Sequence, residues 1–119
     1  MNPNLKFQMK NKVYVYHTDP GHGWLAVKKR EIIALGFSDK VSRYSYVKGD
    51  TVYLEEDNDL ALFFNAYRQA FGKDPKYRNS YLERTPIRYY DSVGSRTFER
   101  PEQPSWEDTA RMWITGDTE

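Results

Sequence analysis

The chain has 119 residues, 39% of them hydrophobic and 16% aromatic, which suits one compact domain with a largely aromatic core. Its net charge of +1 and its lack of cysteine argue against a polycation and exclude disulfides, thiolate catalysis and cysteine-ligated zinc. No apolar run approaches the roughly 20 residues that span a bilayer, and the N-terminus lacks the apolar core of a signal peptide. We therefore expect a soluble protein of the cytoplasm with no membrane partner.

The charge is unevenly distributed along the chain. Residues 93–119 hold three arginines against six acids, a net charge of −3, and residues 1–92 carry +4. A mildly basic body is compatible with an anionic partner but does not require one.

The first predicted unit is a pair of strands followed by a helix. Residues 12–17 are a β-branched and aromatic run, and the Asp-Pro-Gly sequence at 19–21 is typical of a turn, because proline fixes φ and glycine permits positive φ. Residues 24–27 predict the returning strand. Residues 28–35 predict a short helix that ends at Gly36.

A second unit has the same order of elements. The strands span 41–47 and 51–55, and the helix that follows is capped by Asp57 or Asn58 and ends at Phe71. The apolar side chains of this helix recur on one face: Leu60, Phe63, Phe64, Tyr67 and Phe71. This spacing predicts the main core helix.

Two strand candidates rich in tyrosine and arginine, at 76–82 and 86–91, complete the domain. The order ββα-ββα-ββ predicts a single α+β domain over residues 1–93, with a mainly antiparallel sheet and two helices packed on one face. Residues 94–119 predict a linker and a short C-terminal helix, which begins near Ser105. Its two tryptophans, Trp106 and Trp113, need a surface to pack against, in this domain or in a partner.

The stretch 17–24 concentrates the groups that suit a binding site. It holds both histidines of the chain, His17 and His22, together with Asp19 and Trp24. A loop supported by a rigid sheet is a common place for binding groups. The same residues also describe an ordinary turn in which both histidines form local hydrogen bonds. A third interpretation takes His17, Asp19 and His22 as ligands of zinc or manganese in a metal-dependent hydrolase.

Arginine interleaved with tyrosine marks the neighbouring segments. Arg43, Tyr44, Tyr46 and Arg88 offer guanidinium groups for an anion and rings for stacking. The same pattern is typical of single-stranded nucleic-acid binding through the strands, and of cross-strand pairs that only stabilise a sheet. We also expect Glu55 to face the stretch 17–24, called here the histidine loop, if the second hairpin, formed by the predicted strands 41–47 and 51–55, pairs beside it.

Three blocks of sequence carry a resemblance. Asp-Pro-Gly-His-Gly-Trp with Ala-Val, Leu-Gly-Phe-Ser-Asp-Lys-Val-Ser-Arg-Tyr-Ser-Tyr, and Gly-Asp-Thr-Val-Tyr-Leu-Glu-Glu-Asp together resemble a family of small, mostly uncharacterised proteins of bacteriophages and mobile elements. The resemblance spans roughly residues 13–93, and Asn58 stands where such proteins commonly have cysteine. It implies origin rather than activity. By analogy, small phage proteins often act on host machinery or defence systems.

These observations lead to one hypothesis of function. We expect a non-enzymatic binding module without a cofactor, acting in the host cytoplasm in host takeover or counter-defence. Its ligand is a host protein or a small anion such as a nucleotide. The binding residues are expected to be His17, Asp19, His22, Trp24, Arg43, Tyr44, Tyr46 and Arg88.

Overall fold

The computed structural model describes residues 1–99, which form six strands and three α-helices, so the α+β class is confirmed. The helices are α1 (Pro3–Asn11), α2 (Lys29–Leu35) and α3 (Leu60–Phe71), and the strands are β1 (Val13–Thr18), β2 (Gly23–Lys28), β3 (Tyr46–Lys48), β4 (Thr51–Glu55), β5 (Lys76–Tyr81) and β6 (Asp91–Ser92). Among residues 1–99, none of the helices has the length and apolar character that a membrane-spanning helix requires. The predicted C-terminal helix with Trp106 and Trp113 lies outside the described residues.

The six strands form one mixed sheet in the order β5-β1-β2-β4-β3-β6. β1 and β5 are parallel, and the other four neighbouring pairs are antiparallel. Trp24 is paired with His17 on β1 and with Glu55 on β4. The register therefore places the histidine loop beside the end of the second hairpin, as the sequence predicted for Glu55.

The core lies between the sheet and the helices α2 and α3. Tyr14 on β1 is buried there, with its ring 5.0 Å from that of Phe63 and 6.3 Å from that of Tyr67, in edge-on contacts that favour both rings. The predicted stripe of α3 is confirmed, because its apolar residues are all buried or packed against this core. The opposite side chains of β1, among them His17, therefore face the other side of the sheet.

The first helix, α1, is absent from the predicted order of elements, so that order is wrong at its start. Asn2 caps the helix, since its side-chain oxygen accepts the N–H of Asn4 at 2.8 Å, and Pro3 occupies the first turn. The Tyr67 hydroxyl donates to the Met9 carbonyl at 2.9 Å and holds α1 against α3. This cap signal was present in the sequence.

The strand predicted at 41–47 is wrong over most of its length, because β3 begins only at Tyr46. Asp59 explains the difference. Its buried carboxylate accepts hydrogen bonds from the Ser42 N–H, the Ser42 hydroxyl and the Ser45 hydroxyl, which fold residues 42–45 into a turn. Asp59 also precedes α3, one or two residues beyond the predicted caps at Asp57 or Asn58.

The strand predicted at 86–91 is also wrong. Pro86–Tyr89 forms a 3-10 helix, and only Asp91–Ser92 pairs with the sheet. Proline favours the first turn of a helix because its φ is already helical and it lacks the N–H that a strand would use. Since β5 and β6 lie at opposite edges of the sheet, the segment between them has to pass from one edge to the other.

Candidate functional site

The β1–β2 connection is a tight turn organised by Asp19. The Asp19 N–H donates to the His22 carbonyl at 3.0 Å, and one Asp19 carboxylate oxygen accepts the N–H groups of Gly21 and His22, both at 2.9 Å. The Asp-Pro-Gly sequence forms the turn that was predicted from it, but Gly21 does not adopt the positive φ on which that prediction relied. The Asp19 carboxylate thus provides the hydrogen-bond acceptor for two backbone N–H groups of the turn.

Arg88 binds the same carboxylate from the 3-10 helix. Its Nε donates to Asp19 Oδ2 at 2.5 Å and its Nη2 to Oδ1 at 2.8 Å, a two-pronged ion pair. The hydrogen bond from Arg88 holds the pKa of the Asp19 carboxyl well below its usual range, and the backbone N–H groups of Gly21 and His22 add to this effect. Asp19 and Arg88 are therefore engaged with each other and connect two distant parts of the chain.

Gly23 is required by the close approach of Tyr16. A Cβ atom at position 23 would overlap the Tyr16 hydroxyl and ring. The Tyr16 hydroxyl passes over this glycine and donates to Glu56 at 2.6 Å, while the Glu56 N–H donates to the Gly23 carbonyl at 3.0 Å. The second glycine of the motif thus allows the turn to pack against the second hairpin.

Trp24 lies beneath the turn and is only 1% exposed. The Arg88 guanidinium carbon is 5.6 Å from the centre of its ring, within the range of a cation–π contact. The rings of His22 and Tyr46 are 5.8 and 6.3 Å away. The indole N–H is buried, and no residue within 1–99 accepts it. Trp24 is thus mainly a buried, structural part of the candidate site.

A cavity of about 330 Å³, called here the Trp24 cavity, opens beside this indole. It brings together five of the eight predicted binding residues with two others, and its lining is His22, Trp24, Arg43, Tyr44, Tyr46, Glu55 and Ser92. Four separate segments of the chain supply these residues. A volume of this size is at the small end of the range of ligand pockets.

The polar side chains of the Trp24 cavity differ in whether they already form hydrogen bonds or ion pairs within the protein. Arg43 is exposed, lies 5.9 Å from the centre of the Tyr44 ring, and forms no ion pair with any residue of 1–99. The Nδ1 of His22 lies 2.5 Å from the Gly21 carbonyl, so Nδ1 is assigned as the donor, and in that tautomer Nε2 is an acceptor. The Glu55 carboxylate accepts the Asp57 N–H at 2.7 Å and is 8% exposed.

His17 is placed outside the Trp24 cavity. Its ring lies 5.7 Å from that of Tyr53. Burial lowers the pKa of His17, and the nearby charge of Arg78 lowers it further. Both effects favour the neutral form of the His17 ring over its charged form.

The proposed metal ligands His17, Asp19 and His22 are not gathered in the structure. Within the described part of the chain, no group of three or more histidine, aspartate and glutamate side chains is placed to hold a metal ion. Asp19 is already bound to Arg88, and the Nδ1 of His22 is turned toward a carbonyl. These three side chains therefore do not form a common metal-binding group in residues 1–99.

The tyrosine and arginine residues of the nucleic-acid interpretation do not share one strand surface. Successive side chains of β5 point to opposite faces, so Tyr77 faces the helical side, where its ring is 6.1 Å from that of Phe64, and Arg78 faces away. Residues 86–89, the second predicted strand, form a 3-10 helix. This separation removes the continuous stacking surface that the sequence pattern favoured.

Ser92 is the one cavity residue that sequence reasoning did not anticipate. It reaches the site only because β6 pairs with β3, where Tyr46 lies opposite Ser92. No local signal in the sequence predicts that pairing.

The chain matches no family model, no curated protein and no solved structure at a significant level.

Proposed function

We propose that the protein is a non-enzymatic binding module whose ligand is a small anion carrying an aromatic group, with a nucleotide as the leading candidate. The observation that carries the proposal is Arg43, which borders the Trp24 cavity without an ion-pair partner in residues 1–99. A guanidinium group offers several N–H donors in a planar arrangement that matches a phosphate.

The aromatic side chains suit the other half of a nucleotide. Tyr44 is 56% exposed at the cavity, and Tyr46 and the indole of Trp24 line its wall. An exposed tyrosine ring next to an arginine offers a stacking surface for a base. In the tautomer with the proton on Nδ1, the Nε2 of His22 adds a hydrogen-bond acceptor to the lining of the cavity.

Glu55 favours a nucleotide over inorganic phosphate. A carboxylate at the wall repels a bare anion, but it has room to accept further hydrogen bonds beside those from Asp57 and Asn58. Ribose hydroxyls and the amino group of a base are donors of this kind. We therefore place the phosphate near Arg43 and the sugar or base near Glu55.

Titration of ¹⁵N-labelled protein with a panel of nucleotides and inorganic phosphate tests the proposal. We expect the amide signals of His22, Arg43, Tyr44 and Tyr46 to shift with a nucleotide, and to shift less with phosphate alone. Signals that move only elsewhere, or not at all across the panel, would contradict the proposed site. A single-stranded oligonucleotide belongs in the same panel, because affinity that falls steeply with salt would favour the nucleic-acid alternative.

A host protein is a second candidate partner, in keeping with the resemblance to phage accessory proteins. Tyr89 supports it, because this side chain is 88% exposed beside Arg84 and Arg88. Exposed tyrosine and arginine side chains are frequent in protein interfaces. We expect Tyr89→Ser to reduce capture of a host protein from lysate. Equal capture by this variant and the wild type would contradict a role for this surface.

A further inference from the structure

The strand β5 leaves one backbone edge without a partner in residues 1–99. It lies at the end of the sheet, next to β1 only, and five of its six residues are exposed. An edge strand presents a row of N–H and C=O groups that can pair with another strand. At six residues, β5 is as long as the interior strands β1 and β2.

The hydrogen bonds to β1 show which groups of β5 point outward. Ser80 is paired with His17, and the Leu82 N–H donates to the Thr18 carbonyl at 3.0 Å. Residues alternate in direction along a strand, so the backbone groups of Arg78 and Ser80 point toward β1. Those of Tyr77, Asn79 and Tyr81 consequently point away from the sheet.

We propose that a second copy of this chain pairs with this edge, β5 against β5 in antiparallel orientation about a two-fold axis at Asn79. In this register the two Asn79 residues face each other, and Tyr77 faces Tyr81 of the second copy. All three outward residues then bond in pairs, which gives about six hydrogen bonds between the strands, against about four for a register centred on Arg78.

The side chains favour the same register. Facing residues of an antiparallel pair lie on the same side of the sheet, so Tyr77 and Tyr81 of the two copies form two aromatic pairs on the helical side. Both rings are about half exposed in the single chain, at 51% and 58%. On the other side Arg78 faces Ser80, whereas a register centred on Arg78 would bring two like charges together.

Sedimentation equilibrium of the full chain tests this dimer. We expect a mass near twice the 14.1 kDa of the chain at high concentration. Asn79→Pro removes the central N–H donor of each copy, and this N–H has no partner within the sheet, so the monomer fold is retained. The association constant is expected to fall at least about 10-fold, because two hydrogen bonds are lost. Asn79→Ala keeps the donor and is expected to associate like the wild type.

A disulfide provides an independent test, which remains informative if the proline variant does not fold. The chain has no cysteine, so Asn79→Cys introduces a single thiol. Facing hydrogen-bonded residues have Cα atoms about 5.5 Å apart, within the range that a disulfide spans. On mild oxidation in air, we expect Asn79→Cys to form a disulfide-linked dimer, whereas Tyr81→Cys should not be cross-linked, because the two thiols at position 81 lie far apart in the proposed dimer.

Three results would overturn the proposal. The first is a monomeric wild type at sub-millimolar concentration together with no covalent dimer of Asn79→Cys. The second is a dimer whose association is unchanged by Asn79→Pro, since that dimer would use another surface. The third is cross-linking of Tyr81→Cys at the same rate as Asn79→Cys.

Discussion

Two neighbouring regions each contribute one arginine, and the two arginines make different contacts. Arg88 lies in the 3-10 helix that packs against the turn at 19–22, and Arg43 lies in the segment 42–46. Arg88 donates two hydrogen bonds to Asp19 and covers the Trp24 ring. Arg43 is exposed, and its guanidinium carbon lies 5.9 Å from the centre of the ring of its own neighbour, Tyr44. An arginine already bound to a carboxylate stabilises the scaffold, whereas one without such a partner can bind a ligand's charge.

Trp24→Ala is expected to have the largest effect on stability, and Tyr44→Ala almost none. Trp24 is fully buried, so its removal leaves a cavity and should cost about 3–5 kcal/mol in the free energy of unfolding. Tyr44 is exposed, and its removal should change that energy by no more than about 0.5 kcal/mol. Urea denaturation of both variants measures the difference. Similar losses in the two would show that the regions do not divide into scaffold and binding surface.

Gly23→Ala comes next in expected size. The added methyl group overlaps the Tyr16 hydroxyl, and overpacking of this kind costs about 1–3 kcal/mol. The matched control is Gly94→Ala, because a Cβ atom there meets nothing within 4 Å. The loss of stability caused by Gly23→Ala should be smaller in a Tyr16→Ala background. A double-mutant cycle of denaturation midpoints measures this difference. An unchanged cost in that background would assign it to another cause.

Asp19→Asn should produce a smaller effect that depends on pH. The pKa of Asp19 is lowered in the folded protein, so its contribution to stability is fully present above the unfolded pKa of about 4 and is lost as the pH falls through the folded pKa. The wild type should therefore be more stable than Asp19→Asn at neutral pH. That advantage should shrink progressively below about pH 4. Exposed Asp39→Asn is the control. An advantage that stays constant down to low pH would contradict the role of this ion pair.

The parts of the fold that could be predicted from the sequence are those in which local signals and burial agree. The apolar stripe of α3 and the glycines that end α2 and α3 in the left-handed conformation are examples. The segment 41–45 could not be predicted in this way, because its conformation depends on hydrogen bonds to Asp59, more than a dozen residues further along the chain. Long-range polar contacts of this kind leave no periodic signal.

The sequence indicated several of the residues that line the candidate site, but it did not show which of them are already paired with other residues. His22, Trp24 and the Arg43 segment do meet at one cavity. Asp19 and Arg88 are instead paired with each other, and His17 packs against Tyr53. Sequence reasoning can identify which side chains suit a ligand, but only the tertiary contacts show which of them are already engaged.

Isothermal titration of the tightest-binding nucleotide with Arg43→Ala and Arg30→Ala tests the central claim most directly. Arg30 is also an exposed arginine, but it is 4.0 Å from Asp50 and outside the lining of the Trp24 cavity. Loss of a charged hydrogen bond in Arg43→Ala should weaken binding by about 10- to 100-fold, while Arg30→Ala should bind like the wild type. Equal affinity of Arg43→Ala and the wild type would contradict the assignment of Arg43 to the ligand.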